Sequence, residues 1–227
     1  MLGGKYAAIE AAVETAVRTL LGGHDASHDF SHVYRVRAVA LRLAREEGLG
    51  SDDDALAVVC LAALLHDVDD HKYGGDEIAL NNARRIMRDA GVDSRLIDPI
   101  LAAIAHVGYS ANLGASTESL PLEAAVVQDA DRLDAIGALG VARCFTYGGA
   151  KRRVLHDPSI LPRPPGLSTE EYRNGEREST TINHFYEKLL TLSQSMTTRA
   201  GAAAAAQRHT FMVSFLEQFL AEWDGAR

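Results

Sequence analysis

Three His-Asp dipeptides occur in the first third of the chain: His24-Asp25 and His28-Asp29 in "GHDASHDFSH", and His66-Asp67 in "CLAALLHDVDD". Imidazole beside carboxylate suits proton transfer or ligation of a divalent ion. With nine histidines in 227 residues some adjacency to acids arises by chance, so context has to separate the three. Ala55–Leu65, "ALAVVCLAALL", is apolar on every face, the pattern of a helix surrounded by other helices, and it runs directly into "HDVDD". Asp67, Asp69 and Asp70 then stand at the negative end of a buried helix dipole, an unfavourable placement without a cation. His32 shares a face with Val36, Val39 and Leu43 that must look inward. Two further acids lie in "LEAAVVQDADRLDAIGALGVARCF": Asp129 falls on one face with Leu122, Val126, Leu133 and Ile136, whereas Asp131 follows Val127 on the adjacent one. Periodicity does not choose between them, and either needs a partner such as a metal or an arginine.

The elements that must position these residues are helical. Apolar residues recur at three and four positions almost throughout, and period-two alternation is nearly absent, which predicts an all-α protein. The spacing predicts helices over about 5–21, 28–47, 52–67, 76–90, 94–107, 120–147, 169–195 and 200–223. Gly22-Gly23, Gly48, Gly74-Gly75, Gly91 and Gly148-Gly149 punctuate them, and Ser27 and Ser51 are natural N-caps. Ser27 in that role leaves His24-Asp25 in the preceding turn, facing solvent. One irregular segment stands out, "GGAKRRVLHDPSILPRPPGLS" at 148–168, where four prolines gather beside Lys151, Arg152 and Arg153. Prolines at that density preclude a continuous helix, leaving a linker or a loop folded over a site. Cys60 and Cys144 lie in apolar helical patterns without CxxC spacing, as reduced core residues do.

Composition narrows the function. A hydrophobic share of 47% supports a substantial core. A formal charge of -8 argues against a broad grip on a nucleic acid polymer, while small anionic ligands remain compatible with local positive charge. The start, "MLGGKYAAIEAAVETAV", reads as neither a signal peptide nor a membrane span, so the expectation is a cytoplasmic protein without membrane association.

His32 in "HVYRV", the pair His66-Asp67 and Asp131 in "ADRL" have the order His, His-Asp, Asp, and the chain thereby resembles the HD superfamily of metal-dependent phosphohydrolases, a helical fold. The stretches "SHDFSHVYRV", "LLHDVDDHKY", "VVQDADRLDAIGALGVARCFTYGG" and "TTINHFYEKLL" look like stand-alone bacterial HD hydrolases that include nucleoside triphosphate pyrophosphohydrolases. The resemblance implies a single HD-domain helical bundle over 1–227 with a buried metal site and C-terminal helices packing on its core. It makes His32, His66, Asp67 and Asp131 the ligands of one divalent metal ion, Mn²⁺ or Mg²⁺ ahead of Fe, Co or Ni, with Asp129 behind Asp131. Such an ion activates water at neutral pH and polarises phosphorus. By the same resemblance Asp70 orients or deprotonates the water, and His106 contacts phosphate or protonates the leaving group. Arg35, Lys72, Lys151, Arg152 and Arg153 are candidates to meet substrate phosphates.

The implied reaction is hydrolysis of a (deoxy)nucleoside triphosphate to the monophosphate and pyrophosphate. Alternatives are a nucleoside monophosphate phosphatase, a cyclic or dinucleotide phosphodiesterase, and a non-catalytic nucleotide-binding regulatory module. Di-iron oxygenases of the same fold need further histidines between the His-Asp pair and the last aspartate. Here only His71 and His106 lie there, and His71 is too near the pair to serve a second metal.

Overall fold

A computed structural model describes residues 2–21, 30–69, 80–107, 120–164 and 179–226, and among them the regular structure is helical with no strand. The expected Ser27 cap, residues 22–29 and 70–79, and the part of the proline-rich segment from 165 on lie outside the described residues. So do the candidates Asp70 and Lys72. The helices are α1 (Ala7–Leu21), α2 (Phe30–Glu46), α3 (Asp53–Leu65), α4 (Asn81–Asp89), α5 (Ser94–Ala105), α6 (Leu122–Asp134), α7 (Gly137–Ala150), α8 (Asn183–Glu187) and α9 (Arg199–Trp223). The chain forms two compact units, residues 1–131 and 132–227, divided inside α6.

The first unit is built around α3. Asp52 caps it, accepting from the N–H groups of Asp54 (3.0 Å) and Ala55 (2.9 Å). Ser51, the expected cap, is taken up in a 3₁₀ turn, Leu49–Ser51. Every residue from Ala55 to Leu65 is buried, with α1, α2 and α5 packed against this helix. At roughly 1.5–3 kcal/mol for each large aliphatic side chain taken out of water, α3 is a main source of the unit's stability. Helix α1 turns Val13, Val17 and Leu21 inward and also buries Glu10, whose carboxylate accepts from Arg37 of α2 at 3.0 Å. Glu14 accepts from the same guanidinium at 2.6 Å, so the buried arginine is matched in charge.

In the second unit two expected helices are broken. The predicted span 120–147 is two helices, because Ile136 is extended and Gly137 has φ +76°. At the end of α6 arginine side chains add to the backbone bonds: Arg208 of α9 donates to Leu133 O, which also accepts from Ile136 N–H at 3.2 Å, and Arg143 donates to Asp134 O at 3.4 Å and to its carboxylate. Gly140 completes the turn, since a Cβ there would collide with the Ala135 carbonyl. Of the predicted span 169–195, the described residues 179–195 hold the short α8 and a 3₁₀ helix, Leu189–Gln194, separated by Lys188 at φ -140°. With three residues per turn, 3₁₀ geometry sets positions three apart on one side, and Leu189 and Leu192 are both buried. An aromatic row then fills the unit: Phe145 meets Phe215 edge-on at 5.8 Å, Phe215 stacks on Phe185 at 6.0 Å, and Phe219 stacks on Trp223 at 6.0 Å.

The described part of the proline-rich segment is tied to α8 and the residues before it. Thr181 and Ile182 donate backbone N–H groups to Val154 O (2.9 Å) and Leu155 O (3.1 Å). Asn183 donates to Ile160 O at 2.7 Å, and Arg163 N–H donates to Glu187 at 3.0 Å. Both cysteines are free and buried. Burial raises both thiols well above the ordinary range, that of Cys144 to about 12, as inert core residues require.

The α6–α7 turn is sterically restricted at Gly140. Gly140→Ala should cost about 1–3 kcal/mol through overpacking, read as a lowered urea midpoint; an unchanged midpoint would mean that the Ala135 carbonyl can move aside freely.

Candidate metal centre

His66 is the C-cap of α3, still in helical conformation at φ -60°, ψ -28°, and its side chain is almost fully buried. Its Nδ1 lies 2.8 Å from Ala63 O. A carbonyl only accepts, so Nδ1 carries the proton and Nε2 presents its lone pair outward. His32, in the first turn of α2, is buried because Val33 and Val36 anchor that helix in the core. Its Nε2 lies 3.4 Å from His66 Nε2, with the rings edge to face.

Two carboxylates close the group. Asp67 places Oδ2 3.6 Å from His32 Nε2 and Oδ1 3.4 Å from His66 Nε2. Asp131, late in α6, places Oδ1 3.4 Å from His32 Nε2 and 3.9 Å from His66 Nε2. His32, His66 and Asp67 have ligand atoms all within 4.8 Å of one another, and Asp131 stands outside those three but within 3.9 Å of both imidazoles. The imidazoles are 7% and 2% exposed and the carboxylates 22% and 28%, so the nitrogen side is walled by core and the oxygen side opens outward.

This donor set fits a divalent ion. Ligand atoms about 2.1 Å from a metal at right angles stand about 3 Å apart, near the observed spacings. Imidazole nitrogen with carboxylate oxygen suits Mn, Fe, Co and their neighbours. The two acids that helical periodicity left open now differ: Asp131 reaches the imidazoles, and Asp129 is fully buried.

Asp69 departs from the expectation that all the acids after α3 call for a cation. It is 2% exposed, and its two oxygens accept from Asn82 N–H and Ala83 N–H, each at 2.9 Å, at the start of α4. A second helix's positive end therefore offsets this aspartate. Sequence reading missed the contact because its partner is thirteen residues away. No local signal marks it, because "IALNN" offers Asn81 and Asn82 as ordinary local caps for α4.

The other candidates are scattered. Arg35 is half-buried on α2, three residues beyond His32, and His106 is exposed at the C-cap of α5. Its carbonyl accepts from Gln128 of α6 at 2.6 Å, a tie that sequence reading also missed. Lys151, Arg152 and Arg153 are exposed in the second unit, Arg152 with φ +54°. Lys151 and Arg153 stand 5.7 and 5.3 Å from the Tyr147 ring centroid, close enough for cation–π attraction.

Residues 29–136 match the HD domain family, and His32, His66, Asp67 and Asp131 all fall inside the match. An HD-superfamily hydrolase from Bacillus thuringiensis is 35% identical in its crystal structure, over 95% of this chain and 96% of that one, with a TM-score of 0.72. The chain belongs to the HD domain family. A Lactobacillus plantarum protein of known crystal structure is 37% identical over 99% of this chain and 100% of that one, with a TM-score of 0.78. Bacillus subtilis YpgQ is 32% identical over 164 residues, 72% of this chain and 71% of its own. The crystal structure of YpgQ in complex with ADP matches with a TM-score of 0.68 over 94% of this chain and 96% of that one, at 29% identity. An HD-superfamily hydrolase fold is thus established. No helix among the described residues is long and apolar enough to cross a membrane.

The geometry separates the two acids of α6 experimentally. Asp131→Ala should lose most of its bound metal and Asp129→Ala should retain it, by elemental analysis of the purified variants. The opposite result would assign the ligand to Asp129.

Proposed function

We infer that the chain is a metal-dependent phosphohydrolase acting on nucleotide phosphoanhydrides, converting a (deoxy)nucleoside triphosphate to the monophosphate and pyrophosphate. The observation that carries the hydrolase reading is the convergence of His32 Nε2, His66 Nε2 and the carboxylates of Asp67 and Asp131, in a set open on its oxygen side. The ADP bound by YpgQ supports a nucleotide as the ligand class. A divalent ion held by the four side chains would supply Lewis acidity toward a phosphate oxygen and acidify water.

The chain's own residues do the rest. The Ala63 carbonyl fixes the His66 tautomer and aims Nε2 at the group. The buried imidazoles confine substrate to the side where Asp67 and Asp131 meet solvent. Arg35, half-buried on the helix that carries His32, is assigned to offset phosphate charge in a protein of net charge -8. Asp70, four residues after His66, is assigned to orient the water, and His106 to protonate the leaving group.

Two experiments test this reading. His66→Ala and Asp67→Ala should each lose bound metal and nearly all hydrolysis while far-ultraviolet circular dichroism stays helical; wild-type turnover in either variant would remove the site from the mechanism. A nucleotide panel run with several divalent metals should release pyrophosphate from triphosphates. Orthophosphate from monophosphates, or cleavage of cyclic or dinucleotides, would move the activity to another phosphate ester. No turnover with metal bound would indicate a regulatory module.

A further inference from the structure

The turn that carries His66 and Asp67 is anchored by a second helix. After α3 ends, Val68 N–H donates to Leu65 O at 3.2 Å and Val68 is 1% exposed, so the chain stays against the core for two more residues. Asp69 then accepts two backbone N–H groups of α4, and the Asn82 side chain donates back to Val68 O at 3.2 Å. Three hydrogen bonds therefore join Val68–Asp69 to Asn82–Ala83, flanking the residue that supplies a carboxylate to the centre.

The dependence is mutual. Helix α4 opens on Leu80, a non-glycine residue at φ +49°, ψ +44°, with no side-chain cap of its own. Left-handed backbone at leucine is unfavourable, and the first N–H groups of a helix need acceptors. Asp69 provides them from a distant segment, and in return α4 fixes the far end of the 66–69 turn.

We propose that Asp69 and Asn82 are positioning residues for the metal centre, setting the placement of Asp67, and through it the affinity for a divalent ion, without touching that ion. This rests on the reading of His32, His66, Asp67 and Asp131 as a metal site. Groups hydrogen-bonded to metal ligands typically change affinity about 10–100-fold when altered, and Asp69 and Asn82 act on Asp67 through the adjoining backbone. Asp69→Asn keeps shape and volume but puts an amide N–H where one backbone N–H needs an acceptor. Asn82→Ala removes only the bond to Val68 O and leaves both backbone donors to Asp69 in place.

The test is a Mn²⁺ titration followed by the electron paramagnetic resonance of the free ion, without nucleotide. Asp69→Asn should weaken Mn²⁺ binding about 10–100-fold and Asn82→Ala by a smaller factor, about three- to tenfold. Gly140→Ala, destabilised in the other unit, should bind Mn²⁺ as the wild type does, which separates positioning from general loss of stability. If Asp69→Asn does not fold, Asn82→Ala alone decides. With saturating Mn²⁺, kcat of Asn82→Ala should return toward the wild-type value. Affinity within twofold of wild type in every folded variant would overturn the proposal while leaving the metal reading intact. A wild-type protein that takes up no Mn²⁺, Mg²⁺, Co²⁺ or Ni²⁺ would overturn both.

Discussion

An apolar helix that ends in charge is the constraint on which the first unit depends. Helix α3 buries every residue from Ala55 to Leu65 and then delivers an imidazole and a carboxylate within two residues. Burial on all sides leaves the helix no freedom to slide or rotate, because close-packed interiors resist small displacements. His66 inherits that rigidity twice, through the backbone of α3 and through its Nδ1 bond to Ala63 O. A ligand set with spacings near 3.4 Å requires such precision, and a loop alone would not provide it.

Electrostatics follow from the same placement. Carboxylates at the negative end of a helix are disfavoured, and the first unit answers this in two ways. Asp69 turns to the N-terminus of α4, where backbone N–H groups and the helix dipole stabilise its charge. Asp67 turns to the imidazoles, with Asp131 meeting them from α6. The acids that follow one another in sequence therefore serve different ends, one as a structural cap and one as part of the candidate centre.

The second unit depends on different forces. Its aromatic row fills the interior, and hydrogen bonds along the α8 segment give Val154–Arg163 a defined path without regular structure. At the α6–α7 turn Arg208 and Arg143 add donors to the carbonyls at the interrupted helix end. Buried carbonyls require partners, and here long arginine side chains reach them.

What the sequence by itself determined is the part that repeats locally. The period of apolar residues specified an all-α chain, the uniform apolarity of Ala55–Leu65 specified a buried helix, and the order of His32, His66-Asp67 and Asp131 specified the family. Other features depended on residues far apart in the chain. Periodicity left Asp129 and Asp131 equivalent because it records which face a residue occupies, not which side chain the face meets. The break at Ile136 and Gly137 had a local sign in the two glycines of "DAIGALG", but apolar periodicity runs through them unbroken, and only the structure places Gly137 at φ +76° and Gly140 against the Ala135 carbonyl. The cap that Asp69 gives α4 joins residues thirteen and fourteen apart, beyond the reach of any local pattern, since only the packing of α3 against its neighbours brings those groups to hydrogen-bonding distance.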